Sequence, residues 1–147
     1  MIVIERAKPD QVNELVDLFA GYLHFYKKPA DPGAIRDFLA QRLQREQSVI
    51  FLARQNDAPV GFVQLYPAFN SLSLKPNWIL NDLYVAEHAR RAGVALLLMN
   101  AARGLAEQTG ACELFLQTAR DNRSAQRLYE QLGYERDDEF LVYMLSL

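Results

Sequence analysis

Asn81-Asp82-Leu83-Tyr84-Val85-Ala86-Glu87-His88-Ala89-Arg90-Arg91-Ala92-Gly93-Val94-Ala95 passes from a largely apolar strand through a basic turn into the start of a helix. The first backbone N–H groups of a helix lack intrahelical partners and carry partial positive charge, so phosphate oxygens can accept from them. Gly93 and Ala95 keep that backbone uncrowded, and Arg90 and Arg91 add charge. Taken alone, so short a motif also reads as a solvated turn before an ordinary helix. The strand immediately before it and the amphipathic helix after it favour the anion site.

Downstream, Val94, Leu97, Leu98, Ala101 and Leu105 recur at helical spacing, with Gly110 just past the helix end. Residues 113–118 read as a strand and residues 123–132 as a helix closed by Gly133. Residues 139–145 read as a last strand, with a short extra one at 134–136. Upstream, the strand at 78–85 follows a polar loop over 67–76, and residues 48–54 and 60–66 form a hairpin about the turn 55–58. Two helices precede the hairpin. One starts at Pro9 and buries Val12, Leu15, Val16, Phe19, Tyr22 and Leu23; the other is capped by Asp31-Pro32 and buries Ile35, Phe38, Leu39 and Leu43. Ile2, Ile4 and Arg6 open the chain as a strand. The order is β-α-α-β-β-β-α-β-α-β, a mixed α/β fold. No linker, repeat or low-complexity tract divides residues 1–147, so one domain is expected.

Composition narrows the function. With 147 residues, half of them apolar and 23% charged, the chain has the balance of a globular protein. No apolar run approaches the roughly 20 residues that span a bilayer, and Met1-Ile2-Val3-Ile4-Glu5-Arg6 lacks the order of a signal peptide, so a cytoplasmic location without a membrane partner is expected. The lone Cys112 and two separated histidines have no metal-ligand spacing, so no metal is expected. A net charge of −2 gives no general attraction to nucleic acid.

A second motif follows the first by about thirty residues: Asn122-x-x-Ala125-x-x-Leu128-Tyr129-Glu130-x-x-Gly133-Tyr134. Together with Arg90-x-x-Gly93-x-Ala95 it resembles the GNAT superfamily of N-acetyltransferases, and the likeness in element order extends over the whole chain. The resemblance implies a mostly antiparallel central sheet of six to seven strands, splayed at an acetyl-CoA site and flanked by four helices. It implies that Leu83, Tyr84 and Val85 present backbone to the pantetheine arm, and that Arg90, Arg91, Ala92, Gly93, Val94 and Ala95 hold the pyrophosphate. Asn122 would sit at the splay between the strands containing Val85 and Gln117, with Ala125 and Tyr129 also at the cofactor. The Tyr129 hydroxyl would lie near the thioester sulfur. Many relatives have Gly where this chain has Arg91 or Ala95.

The chemistry explains the residue types. Freeing an alkyl amine for attack at pH 7 costs roughly 4 to 5 kcal/mol, at about 1.4 per pKa unit, and a base or a desolvating pocket must supply it. Asp82, a carboxylate within an apolar strand, is the candidate base or amine-attracting group; the bland reading is a buried carboxylate bonded to its neighbours. Tyr129 is a protonated phenol at neutral pH and suits proton donation to the departing thiolate, although without the motif it reads as a packed helix aromatic. Tyr22, His24, Tyr26 and Tyr66, with Asp82, are the candidate substrate-binding residues, Tyr84 being a further candidate ring. His24 in that cluster also reads as a structural or surface residue. Glu5 and Glu113 lie in strands with nothing to place them near the site.

The runs Gly61-Phe62-Val63-Gln64-Leu65-Tyr66-Pro67 and Trp78-Ile79-Leu80-Asn81-Asp82-Leu83-Tyr84-Val85 are similar to a subgroup of polyamine, thialysine and histone-type acetyltransferases. That implies a primary amine acceptor, as a small molecule, a polyamine or a lysine side chain. Acetylation of a protein N-terminus or an aminoacylated RNA is the alternative, as is a CoA-binding regulatory module without turnover. The resemblance also implies a homodimer.

Overall fold

The computed structural model describes all 147 residues. By internal contacts they fall into two compact units, Met1–Leu116 and Gln117–Leu147.

The first unit is built on one five-stranded sheet in the order β1-β2-β3-β4-β5. Strands β1 (Ile2–Arg6), β2 (Val49–Gln55), β3 (Ala58–Asn70) and β4 (Lys75–Val85) run antiparallel, and β5 (Leu114–Phe115) joins β4 in parallel. Helices α1 (Val12–Phe25) and α2 (Pro32–Gln44) cover one face. Their Leu15, Val16, Phe19, Ile35, Leu39 and Leu43 form the core with Ile50, Leu52 and Phe62 of the sheet. Helix α3 (Val94–Gln108) packs on the other face, where Val94 and Leu98 approach Gly61. Phe62 and Gly61 are neighbours in β3 and so point to opposite faces. The caps follow the sequence: Asp31 accepts from the Gly33 and Ala34 N–H groups at 2.9 and 3.3 Å and so starts α2.

In the second unit, helix α4 (Arg123–Gln131) is opened by Asn122, whose Oδ1 accepts from Ala125 N–H at 3.3 Å. Gly133 closes it in the left-handed conformation, φ +92°. No helix of the chain is long and apolar enough to cross a membrane.

Four expectations are corrected. Residues 67–76 are not a loop: β3 and β4 continue as a long hairpin, with Ala68, Phe69 and Asn70 paired to Asn77, Pro76 and Lys75. One face of the arm is half-buried, at Tyr66, Ala68 and Asn70, but the apolar Phe69 lies on the exposed face, so apolar residues do not alternate in step with burial. The strand expected at 113–118 has only two paired residues, and Gln117 lies outside it. A bulge in β4 bends that strand directly after its last rung with β5. Residues 134–136 and 139–145 form no strand, so the sheet has five strands rather than six or seven. Residues 140–145 are apolar throughout and lack the period of a half-buried strand. On α3 the buried face is Val94, Leu98, Met99, Ala102, Leu105 and Ala106, about one residue round from the predicted stripe, which leaves Leu97 partly exposed.

Candidate active site

The bulge that shortens the sheet also builds the site. Gln64 pairs with Asp82 and Leu65 with Leu80, so Asn81 is the extra residue on β4. Its carbonyl faces the Tyr22 hydroxyl at 3.4 Å, and its side-chain amide donates to Asp82 Oδ1 at 3.1 Å. Bulges re-aim side chains in this way beside functional sites.

Ser48, Gln64 and Asp82 are the buried polar residues of the chain, and they form one hydrogen-bonded chain. Ser48 Oγ donates to Gln64 Oε1 at 2.7 Å, which fixes the amide orientation, and Gln64 Nε2 donates to Asp82 Oδ2 at 2.8 Å. Asp82 is 5% exposed and belongs to none of the four ion pairs. A buried carboxylate without a cation keeps an attraction for one, because hydrogen bonds to amides offset only part of its lost hydration.

Three phenols surround it. Burial raises Tyr22 well above the ordinary phenol value, and the charge and hydrogen bond of Asp82 raise it further. Tyr26 is raised by burial and then by Asp82. Tyr66 is pushed up to about 12, by burial first and Asp82 second, against the opposing charge of Arg42. All three are therefore neutral hydroxyls at physiological pH. Tyr22 and Tyr26 stack edge-on at 5.0 Å one helical turn apart.

The structure thus brings together Tyr22, Tyr26, Tyr66 and Asp82. It does not bring His24 to them, since His24 is exposed and sits two residues, over half a turn, from Tyr22. Tyr84 reaches α1 instead: a Cβ on Gly21 would lie 2.5 Å from its hydroxyl, so glycine there makes room for the ring. Glu5 accepts from Arg54 Nε at 2.7 Å, Arg54 also pairs with Glu14, and Glu113 accepts from Asn70 and Asn77, so these carboxylates hold the scaffold.

The edge of β4 past β5 is open. Ala86 N–H bonds Val60 across to β3, so Val85 and Leu83 direct their backbone groups to the opposite side, where the sheet has no strand. Arg90 Nε donates to the Val85 carbonyl at 3.0 Å. The entry to α3 then uses two left-handed residues, Arg91 at φ +65° and Gly93 at +82°. No side chain caps the first turn of α3, and a Cβ on Gly93 would meet nothing within 4 Å. Open N–H groups in a left-handed turn make a cradle for an anion.

In the second unit Tyr129 lies on α4, half-buried, with its ring 5.9 Å from that of Tyr134. Asn122 and Ala125 are joined by the helix cap.

Sequence reasoning missed Gln64, Ser48 and Arg42. Gln64 carried the same signal as Asp82, a polar residue in an apolar strand; Ser48 and Arg42 carried none.

Residues 12–134 match the model of the acetyltransferase (GNAT) family. The chain is 44% identical to the uncharacterized N-acetyltransferase YhfO of Bacillus subtilis (strain 168), over 98% of this chain and 97% of that one. It is 28% identical to a probable acetyltransferase of Haemophilus influenzae, over 97% and 96%. A crystal structure of a probable acetyltransferase superposes with a TM-score of 0.93 at 44% identity, covering 99% of this chain and 97% of that one.

Proposed function

The chain belongs to the GNAT acetyltransferase family and is an N-acetyltransferase, and we propose that it moves an acetyl group from acetyl-CoA to a primary amine held at Asp82. The observation that carries this reading is the buried Asp82 carboxylate, oriented by Gln64 and lacking a cation of its own. Family members use acetyl-CoA, which when bound supplies an activated acyl carbonyl for attack.

The cradle fits that group. The N–H groups from Arg91 to Ala95 would take the pyrophosphate, with Arg90 and Arg91 adding charge, and the outward backbone of Leu83 and Val85 would take the pantetheine arm. Arg90 releases the Val85 carbonyl to it. Asp82 would draw in the ammonium and accept the proton whose loss frees the nitrogen lone pair for attack on the thioester carbonyl carbon; the second N–H proton, acidic once the carbon–nitrogen bond has formed, would pass to solvent. Tyr22, Tyr26 and Tyr66, as neutral phenols, exclude water and hold the remaining amine hydrogens. By motif alone Tyr129 is at the family's acid position, where its hydroxyl would supply the proton that the departing thiolate needs, with solvent restoring it. Asn122 and Ala125 belong to the same motif, with Asn122 opening the helix that carries Tyr129.

The test is CoA release from acetyl-CoA over a panel of amines for wild type, Asp82→Asn and Tyr129→Phe. Asp82→Asn raises KM for the amine at least tenfold, and Tyr129→Phe lowers kcat by about 10² while leaving acetyl-CoA binding intact. Acetyl-CoA binding without acetylation of any amine refutes the amine assignment.

The same reading includes a homodimer, supported by the apolar run Phe140-Leu141-Val142-Tyr143-Met144-Leu145, whose side chains are all exposed. It also includes a cytoplasmic enzyme of one domain.

A further inference from the structure

Arg42, on α2, is a cation without an anion. Its guanidinium lies 4.5 Å above the Phe38 ring, and its Nε is buried with no hydrogen-bond partner. One Nη reaches the neutral Gln41 Oε1 at 3.4 Å, and none of the four ion pairs includes Arg42. Phe38 joins the aromatic wall of the site, 6.5 Å from Phe19, whose ring is 5.5 Å from Tyr22. The charge of Arg42 is felt at the Tyr66 phenol, where it opposes that of Asp82.

The Tyr66 phenol therefore feels two charges, that of the Asp82 carboxylate and that of the Arg42 guanidinium, and neither has an ion-pair partner. Two opposite charges of this kind, both felt at one phenol and not paired with each other, complement a ligand that carries both. A planar guanidinium with a buried, unsatisfied N–H matches a carboxylate in particular.

We infer that the acceptor is an amino acid or a close relative of one, its ammonium at Asp82 and its carboxylate at Arg42. This rests on the reading of Asp82 as the amine's site. It disfavours polyamines, because a second ammonium would meet Arg42 instead of a carboxylate. Tyr66 serves both halves, accepting from the ammonium or donating to the carboxylate.

The experiment compares pairs that differ only in the carboxylate: phenylalanine with phenethylamine, leucine with 3-methylbutylamine, and lysine with cadaverine. Binding to the CoA-loaded protein is read by titration calorimetry at pH 7, where both members of each pair are ammonium ions, and CoA release is read beside it. Wild type binds the amino acid at least tenfold tighter than its partner. Arg42→Gln brings that ratio close to one, losing the amino acid and gaining the amine, while Arg42→Lys, which keeps the charge but not the planar fork, retains part of the preference.

Equal binding of the pairs by wild type, or an equal loss of both members in Arg42→Gln, overturns the inference. Binding of neither member overturns it together with the reading of Asp82. A preference that depends on Arg42 without any acetyl transfer overturns the amine-transfer reading and leaves carboxylate recognition standing.

Discussion

Asp82 separates the functional from the bland account of the site by its effect on stability. If it serves only to satisfy neighbours, Asp82→Asn removes a supported charge and destabilises strongly. If it is a carboxylate kept for an incoming cation, relief of the buried charge offsets the acceptor that Asn loses toward Gln64 or Asn81. We therefore expect Asp82→Asn to hold thermal stability within about 1 kcal/mol of wild type, while amine turnover collapses. A loss of roughly 3 kcal/mol in denaturant unfolding would return Asp82 to the scaffold. Ser48→Ala should behave oppositely, leaving Gln64 Oε1 buried and unpaired at a cost of about 1–3 kcal/mol. The phenols give a pH signature. Tyr66 titrates near 12 in the fold against an ordinary 10.0, so the folded state holds that proton longer than the unfolded chain. Its contribution to stability is complete below about pH 10 and is lost as pH rises toward 12. Denaturation midpoints measured from pH 9 to 12 should fall less steeply for Tyr66→Phe. Asp82, Tyr22 and Tyr26 were legible as candidates because a charge in an apolar strand and two rings four residues apart are local signals, whereas Tyr66 was one ring in a strand. Ser48 and Arg42 were not, because each acts through a residue distant in sequence, and His24, adjacent in sequence to the cluster, was carried to the other side of its helix.

Among the elements, the turn into α3 shows how far a motif can be read without coordinates. The passage from a strand through a basic turn into a helix was legible; the left-handed conformation of Arg91 was not, since Arg does not announce a positive φ. With open space around Gly93, an added Cβ costs backbone strain alone. Gly93→Ala should lose about 1 kcal/mol of stability and weaken CoA binding several-fold by tilting the first N–H groups of α3. At Arg91, also left-handed, Arg91→Gly should regain part of that strain, so the two variants should shift melting temperature in opposite directions. A common direction would mean that contacts made by the side chains, rather than φ, govern the turn. The long β3–β4 hairpin and the two-residue β5 escaped the sequence for one reason: strand length is set by the partner's path, and the Asn81 bulge that bends β4 has no signature in the residues flanking it.

At the scale of the whole molecule, the pattern of apolar residues located every helix and the first four strands, but it misjudged the C-terminus. Residues 140–145 looked like a closing strand and instead leave Tyr143 88% and Leu145 85% exposed, with Leu147 beyond them. Isolated surface hydrophobics are ordinary, but six in succession form a patch of the kind that marks an interface. Burying one such side chain contributes about 1.5–3 kcal/mol, so several from each of two copies offset an association cost of roughly 4–15 kcal/mol. An isologous pair would bury the run twice with one contact, which makes a second copy of this chain the economical partner. Light scattering after size exclusion at micromolar concentration should give about twice the 16.8 kDa chain mass. Val142→Asp and Tyr143→Asp together should return it to one chain mass without lowering the helical circular dichroism. A wild type that stays monomeric at 100 µM would refute the pairing, whereas a doubled mass that survives both aspartates would place the interface on another surface.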